Sequence, residues 1–137
     1  MGLSERLRAE LSREPELAYA ILFGSHSEGT ARDDSDIDIA VKWRSKDAVT
    51  RLKLCAKLSG RLSLAYATTI DIIDVEKAPL DIAYSALTSG KPLIVNDKQQ
   101  LLKDKIYYTI MYLDIAPVLR LHYEKMRERI LAGKTTT

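Results

Sequence analysis

Gly24-Ser25 is followed, after ten intervening residues, by Asp36-Ile37-Asp38. Side chains alternate along a strand, so Asp36 and Asp38 would project together while Ile37 and Ile39 point the other way. Two carboxylates that close repel each other unless a cation lies between them. An oxygen-only cluster suits Mg²⁺, which takes a few carboxylates together with the phosphate oxygens of a substrate. Gly24 ends a strand with no Cβ to obstruct a phosphate, and the following N–H groups and the Ser25 hydroxyl could hold anionic oxygens. The pattern outlines metal-dependent nucleotidyl transfer. Alone, an Asp-x-Asp is more often a solvated strand end, and a Gly-Ser pair more often a plain turn. Their combination carries the signal.

A third carboxylate would complete the set, and Asp71 and Asp74 are both candidates. If Ile70 and Ile72 pack on a helical layer, Asp71 faces the open side with Asp36 and Asp38. Asp74 falls with the isoleucines, where it would cap the turn starting at Glu76. Gly29 offers the intervening loop a joint. Arg32 could reach phosphate or brace Asp33 and Asp34. Lys91 follows a glycine near the sheet edge and could approach phosphate. His26 reads as solvated.

The elements that must position these groups follow from periodicity. Ser4 is placed to cap a first helix with Leu3, Leu7 and Leu11 on one face, ended by Glu14-Pro15. Residues 18–23 form an apolar run of the kind found in buried strands, and 35–41 a second strand after the polar loop. Ser45 would cap a helix over 46–62 with Val49, Leu52, Cys55, Ala56, Ser59 and Leu62 inside. Residues 68–75 are β-branched and predict a third strand. Pro79 begins a short helix, with Leu80, Ala83, Tyr84 and Leu87 inward, that ends at Gly90. Residues 93–95, just after Pro92, predict an edge strand.

From 98 to about 131 the pattern predicts one long helix, with stripes at Leu102, Ile106, Ile110 and Leu113 and at Leu119, Tyr123, Met126 and Ile130. Pro117 between them should kink it. The reading is an α/β (α+β) fold, a small mixed sheet of about four strands with helices mainly on one face. Residues 1–137 form a single domain: a catalytic core over 1–97 and the long helix over 98–132.

Composition excludes several classes. The 137 residues suffice for one domain with a real core; 46% are hydrophobic and 29% charged, as in globular proteins. No apolar run approaches the ~20 residues of a membrane span. No N-terminal leader is evident, so a cytoplasmic protein is expected. A net charge of +2 is too small to argue for nucleic-acid binding. Cys55 is the sole cysteine, which excludes an internal disulfide, and with His26 and His122 it shows no zinc spacing. Cys55 reads as core, Trp43 as packing at the sheet edge, and His122, Lys125, Arg127 and Arg129 as solvated. Tyr107, Tyr108, Met111 and Tyr112 cannot all share one buried stripe. They either cover the sheet edge or form a protein interface.

The run from Gly24 through Asp36-Ile37-Asp38 to Val41 resembles the signature of the minimal nucleotidyltransferases, relatives of polymerase beta and kanamycin nucleotidyltransferase. Ile70-Asp71-Ile72-Ile73-Asp74, Gly90-Lys91-Pro92-Leu93 and the long C-terminal helix are similar to that family too. The resemblance covers nearly the whole chain and implies its fold. Many such proteins are antitoxins encoded beside a HEPN-domain toxin. The MntA-type group transfers AMP from ATP onto a tyrosine of that toxin. By resemblance, Asp36 and Asp38 would bind two Mg²⁺ ions, Asp71 would complete the site, and Gly24 and Ser25 would hold the triphosphate. ATP is then the substrate and a HEPN toxin the partner, in a homo- or hetero-oligomer. Two other functions fit the family: an antitoxin that only binds its toxin, and a transferase acting on a small molecule such as an aminoglycoside. A chain this short argues for a macromolecular acceptor over the last.

Overall fold

The structure, a computed structural model, describes residues 2–24 and 36–133. In chain order it contains α1 (Leu3–Leu11), β1 (Leu17–Phe23), β2 (Ile37–Trp43), α2 (Ala48–Tyr66), β3 (Ile70–Asp74), α3 (Leu80–Ser89), β4 (Lys91–Val95) and α4 (Lys98–Leu131). The strands form one mixed sheet in the order β3-β2-β1-β4. β1 is antiparallel to both β2 and β4, whereas β2 and β3 run parallel. The 26 residues between β2 and β3 include α2, the crossover that a parallel pair requires.

Alternation along the strands divides the core in two. Leu22, Ile37, Ile39, Val41, Trp43 and Ile70 face α1 and α2, packing on Leu7, Leu11, Cys55, Leu58 and Leu62. Tyr19, Ile21 and Ala40 face the other way, onto Ala83, Ala86 and Leu87 of α3 and Leu101 of α4. Helices therefore lie on both faces of the sheet, where they were expected mainly on one. The reason is β1, whose continuous apolar run is buried on both sides as central strands are. A register shift between Leu17 and Tyr19 turns Ala18 and Tyr19 toward the same cluster.

Helix ends differ from expectation. Gly2 sits at the N-cap of α1 and makes no side-chain cap, so Ser4 lies inside the helix. Asp47, not Ser45, caps α2, its carboxylate accepting the Thr50 N–H at 3.0 Å. Along α2 the buried residues are Arg51, Cys55, Leu58 and Leu62, while Val49 and Leu52 are 59% and 70% exposed. The inner stripe is rotated by about one residue from the expected one, because α2 overhangs the outer edge of β3.

The same rotation appears on α4. Leu101 and Asp104 are buried, and the Tyr108 hydroxyl donates to the Val75 carbonyl at 3.3 Å. Tyr112 stacks on Tyr84 with ring centroids 4.1 Å apart. Leu102, Ile106, Ile110 and Leu113 face solvent instead. α4 continues unbroken through Pro117. Trp43 lies within β2, fully inside, donating its indole N–H to Cys55 Sγ at 3.1 Å. Burial pushes the Cys55 thiol up from its ordinary value, partly opposed by that hydrogen bond.

Candidate active site

Two adjacent parallel strands bring the carboxylates together. Asp38 of β2 pairs in register with Asp71 of β3, so their side chains stand side by side on one face of the sheet. That face carries Ala40 further along and the α3 cluster beyond it. At the start of β2 it is open: Asp38 is half-buried and Asp71 exposed. Asp36, exposed, lies just before β2 and two residues ahead of Asp38.

Gly24 closes the group from the neighbouring strand. Phe23 pairs with Asp38, which carries Gly24 just past the carboxylate. Its φ of +77° is a conformation that glycine adopts at little cost. A Cβ built there would lie 3.0 Å from Asp38 Oδ2. The conformation favours glycine, and a Cβ would also make the Asp38 carboxylate shift by a few tenths of an ångström. The bare backbone beside Asp38 is where a phosphate could approach without steric obstruction. Ser25, His26, Gly29 and Arg32 lie outside the described residues.

Asp74 and Lys91 are placed elsewhere. Asp74 is 9% exposed on the α2 side of β3 and accepts from Arg51 Nε at 2.8 Å. Its other oxygen accepts the Glu76 N–H at 3.0 Å, the turn cap that alternation predicts. Lys91 pairs with Leu22, whose side chain packs on the α1 side, and its Nζ lies 3.4 Å from Ser4 Oγ of α1. The structure does not bring Lys91 to the carboxylates, because its strand position directs it to the opposite face.

Residues that sequence reasoning missed form a polar network at the far end of the sheet. Arg51 is 6% exposed and bonds Asp74, with Glu76 Oε2 3.3 Å away. Lys42 lies 3.2 Å from Glu76 and 3.9 Å from Asp104. The Tyr19 hydroxyl donates to Asp104 Oδ2 at 2.6 Å, and Gln100 Nε2 donates to Oδ1 at 2.9 Å. Burial, then the Asp104 carboxylate, raise the Tyr19 hydroxyl far above its ordinary value. The signal for Arg51 was available: Cys55, Leu58 and Leu62 extended back by one helical turn reach it.

Among the described residues no three His, Cys, Asp or Glu side chains form a ready metal cluster. Asp38 and Asp71 supply a pair, and Mg²⁺ commonly takes one or two carboxylates, with substrate phosphates and waters completing its shell. The donor set fits that ion.

Comparison with known proteins agrees with this geometry. Residues 5–99 match the family model described as Polymerase beta, Nucleotidyltransferase. A protein adenylyltransferase, MntA of Shewanella oneidensis, is 35% identical over 94 residues, which is 66% of this chain and 65% of that protein. The chain is also similar to one chain of a crystal structure of a toxin–antitoxin with AMP-PNP. There the TM-score is 0.75 at 25% identity, covering 92% of this chain and 99% of that one. Similarity extends to a structure of tri-AMPylated Shewanella oneidensis HEPN toxin in complex with MNT antitoxin, with a TM-score of 0.65 and 26% identity over 91% of this chain and 97% of the other. The paired carboxylates, the glycine beside them and the matched sequence place this chain in the polymerase beta nucleotidyltransferase family.

Proposed function

We propose that this chain transfers AMP from ATP onto a hydroxyl, most simply a tyrosine, of a HEPN-domain toxin, and so acts as its antitoxin. The observation that carries the reading is the register of Asp38 opposite Asp71 with Gly24 against Asp38. Likeness to a protein adenylyltransferase, and to an antitoxin held with a tri-AMPylated toxin, supports AMP as the group and a protein as the acceptor. Likeness to a complex with AMP-PNP supports ATP as the donor.

Asp36, Asp38 and Asp71 would hold Mg²⁺, which when bound lowers the pKa of the attacking hydroxyl and neutralises charge on the leaving phosphate oxygens. Gly24 admits the triphosphate close to the backbone, with Ser25 as a second phosphate contact. Asp38 stands beside Asp71 on the same face of the sheet, so that both carboxylates could serve one cation. Asp71, at the exposed strand edge, accepts the proton of the acceptor hydroxyl. The new bond joins that oxygen to the α-phosphorus; the bond to the β-phosphate oxygen breaks, and pyrophosphate leaves. No helix among the described residues is long and apolar enough to cross a membrane.

The test is incubation with ATP labelled on the α-phosphate, Mg²⁺ and a HEPN-domain protein sought in the neighbouring reading frames. Label on the toxin, lost when Asp36, Asp38 or Asp71 is replaced by alanine, is the expected result. Tight binding without label would make this an antitoxin that acts by masking.

A further inference from the structure

The geometry points to a docking site for an extended segment of the acceptor protein along the open edge of β3, seated by one apolar side chain. This rests on the AMP-transfer reading for its occupant, though not for its geometry. β3 is the outer strand of the sheet. In a parallel ladder, alternate residues direct both backbone groups to the neighbouring strand. The Ile37 N–H donates to the Thr69 carbonyl and the Val75 N–H to the Val41 carbonyl. Thr69, Asp71, Ile73 and Val75 therefore face β2, and Ile70, Ile72 and Asp74 face outward.

Ile70 is closed on both groups and Asp74 on its carbonyl. Ser59 Oγ donates to the Ile70 carbonyl, and the Ile70 N–H donates to Ser63 Oγ at 3.0 Å, so α2 caps the edge there. The Asp74 carbonyl accepts from the Lys77 and Ala78 N–H groups at 3.0 and 2.9 Å. No hydrogen bond from the described residues closes Ile72 on its outer side. At that point α2 presents Val49 and Leu52, both exposed beside its buried stripe. With Cys55, Ile72 and Lys77 they line an apolar cavity of about 380 Å³, room for a leucine or aromatic side chain.

An edge with an open residue invites another strand. A segment bonded to both groups of Ile72 places the side chain opposite Ile72 on the same face, in the cavity. Its chain neighbour then falls on the other face, beside Asp71. The acceptor class follows: an extended segment in which an apolar residue directly adjoins the hydroxyl-bearing one. A second copy of this chain fits less well, since pairing two β3 edges would bring their exposed Asp71 carboxylates together.

The test uses fluorescein-labelled hexapeptides with leucine beside a central tyrosine, the same peptide with alanine for leucine, and one N-methylated at the leucine. Fluorescence anisotropy with the full chain should show the last two binding roughly tenfold or more weakly than the first. Leu52→Glu, at a solvent-facing position and so without loss of fold by circular dichroism, should weaken the leucine peptide equally. Equal binding of all three peptides, binding of none, or an indifferent Leu52→Glu variant would overturn the proposal. So would a dimer that Leu52→Glu dissociates, which would assign the edge to a second copy. Discriminating binding without label transfer to any acceptor would leave the dock standing and sink the transfer reading. Transfer to the toxin at the wild-type rate by Leu52→Glu would do the reverse.

Discussion

The two ends of the sheet treat their acids in opposite ways. At the far end Asp74, Glu76 and Asp104 are all spent on Arg51, Lys42 and Tyr19, and Asp74 and Asp104 are buried. At the near end Asp36 and Asp71 are exposed and enter no ion pair among the described residues, while Asp38 lies against Gly24. Asp71 and Asp74 are three residues apart on one five-residue strand, yet alternation assigns one to each regime. An acid matched to a fixed cation holds architecture together. An acid facing solvent beside a second acid is where the proposed reaction would place a cation and a phosphate.

The largest effect should separate these regimes. Asp38→Asn and Asp71→Asn should each lower AMP transfer by on the order of a hundredfold or more while leaving the melting temperature near that of the wild type. Asp74→Asn should do the opposite, lowering the melting temperature because Arg51 loses a charged partner, with activity falling only as the folded fraction falls. Parallel measurements of transfer rate and thermal unfolding decide it. Equal loss of activity in Asp74→Asn with an unchanged melting temperature would erase the distinction.

Gly24→Ala comes next. Alanine at φ +77° is strained, and its Cβ would press on Asp38 Oδ2 at 3.0 Å. Transfer should drop roughly tenfold or more, with a raised KM for ATP, since the backbone approach for phosphate is lost. Gly90→Ala is the matched control. There the Cβ would run into the Ala86 carbonyl and the Ile21 side chain, where α3 packs on β1. It should destabilise by about 1–3 kcal/mol and leave KM unchanged.

The near end was much the more legible of the two in the sequence. Asp38 and Asp71 could be placed on one face from period-2 alternation, and Asp74 excluded by the same rule. The order of all eight elements also followed from local patterns. The far end was less legible: helical spacing reaches Arg51, but the partners are joined across long stretches of chain, Arg51 to Asp74 23 residues on and Tyr19 to Asp104 85 residues on. Without those partners, a charged residue is assigned to solvent and an apolar neighbour to the core. That displaced the stripe of α2 onto Val49 and Leu52 and that of α4 onto Leu102, Ile106, Ile110 and Leu113. The Lys91 expectation failed for a related reason, since its face depends on which strand it pairs with.

Tyr19→Phe probes the far end. Its loss leaves Asp104 with Gln100 at 2.9 Å and Lys42 at 3.9 Å, and should cost about 1–3 kcal/mol at neutral pH. The pH dependence has a definite sign. A tyrosine titrates near pH 10 when unfolded, and the folded value is raised. The stability tied to neutral Tyr19 is therefore complete below about pH 10 and lost as the pH climbs toward the raised value. Urea unfolding from pH 9 to 11 should show wild-type stability falling more steeply than that of Tyr19→Phe. Equal slopes would mean that Tyr19 is not protected from ionisation.

The smallest expected effect lies where the two regimes meet, on β3 itself. Ser59 of α2 donates to the carbonyl of Ile70, the residue immediately before Asp71. Ser59→Ala removes one neutral hydrogen bond from a strand edge that water can reach, so the loss should be about 0.5–1 kcal/mol. That corresponds to roughly 2–4 °C in melting temperature for a domain of this size. If Asp71 owes its placement to the ladder with β2 alone, transfer should be unchanged at a temperature where both proteins are folded. If the α2 clamp also sets the carboxylate, kcat should fall severalfold with the KM for ATP constant, and Ser59→Thr, which keeps the hydroxyl, should restore it. The ladder binds Ile70 and Asp71 to β2 residue by residue, and unchanged transfer is the expected outcome.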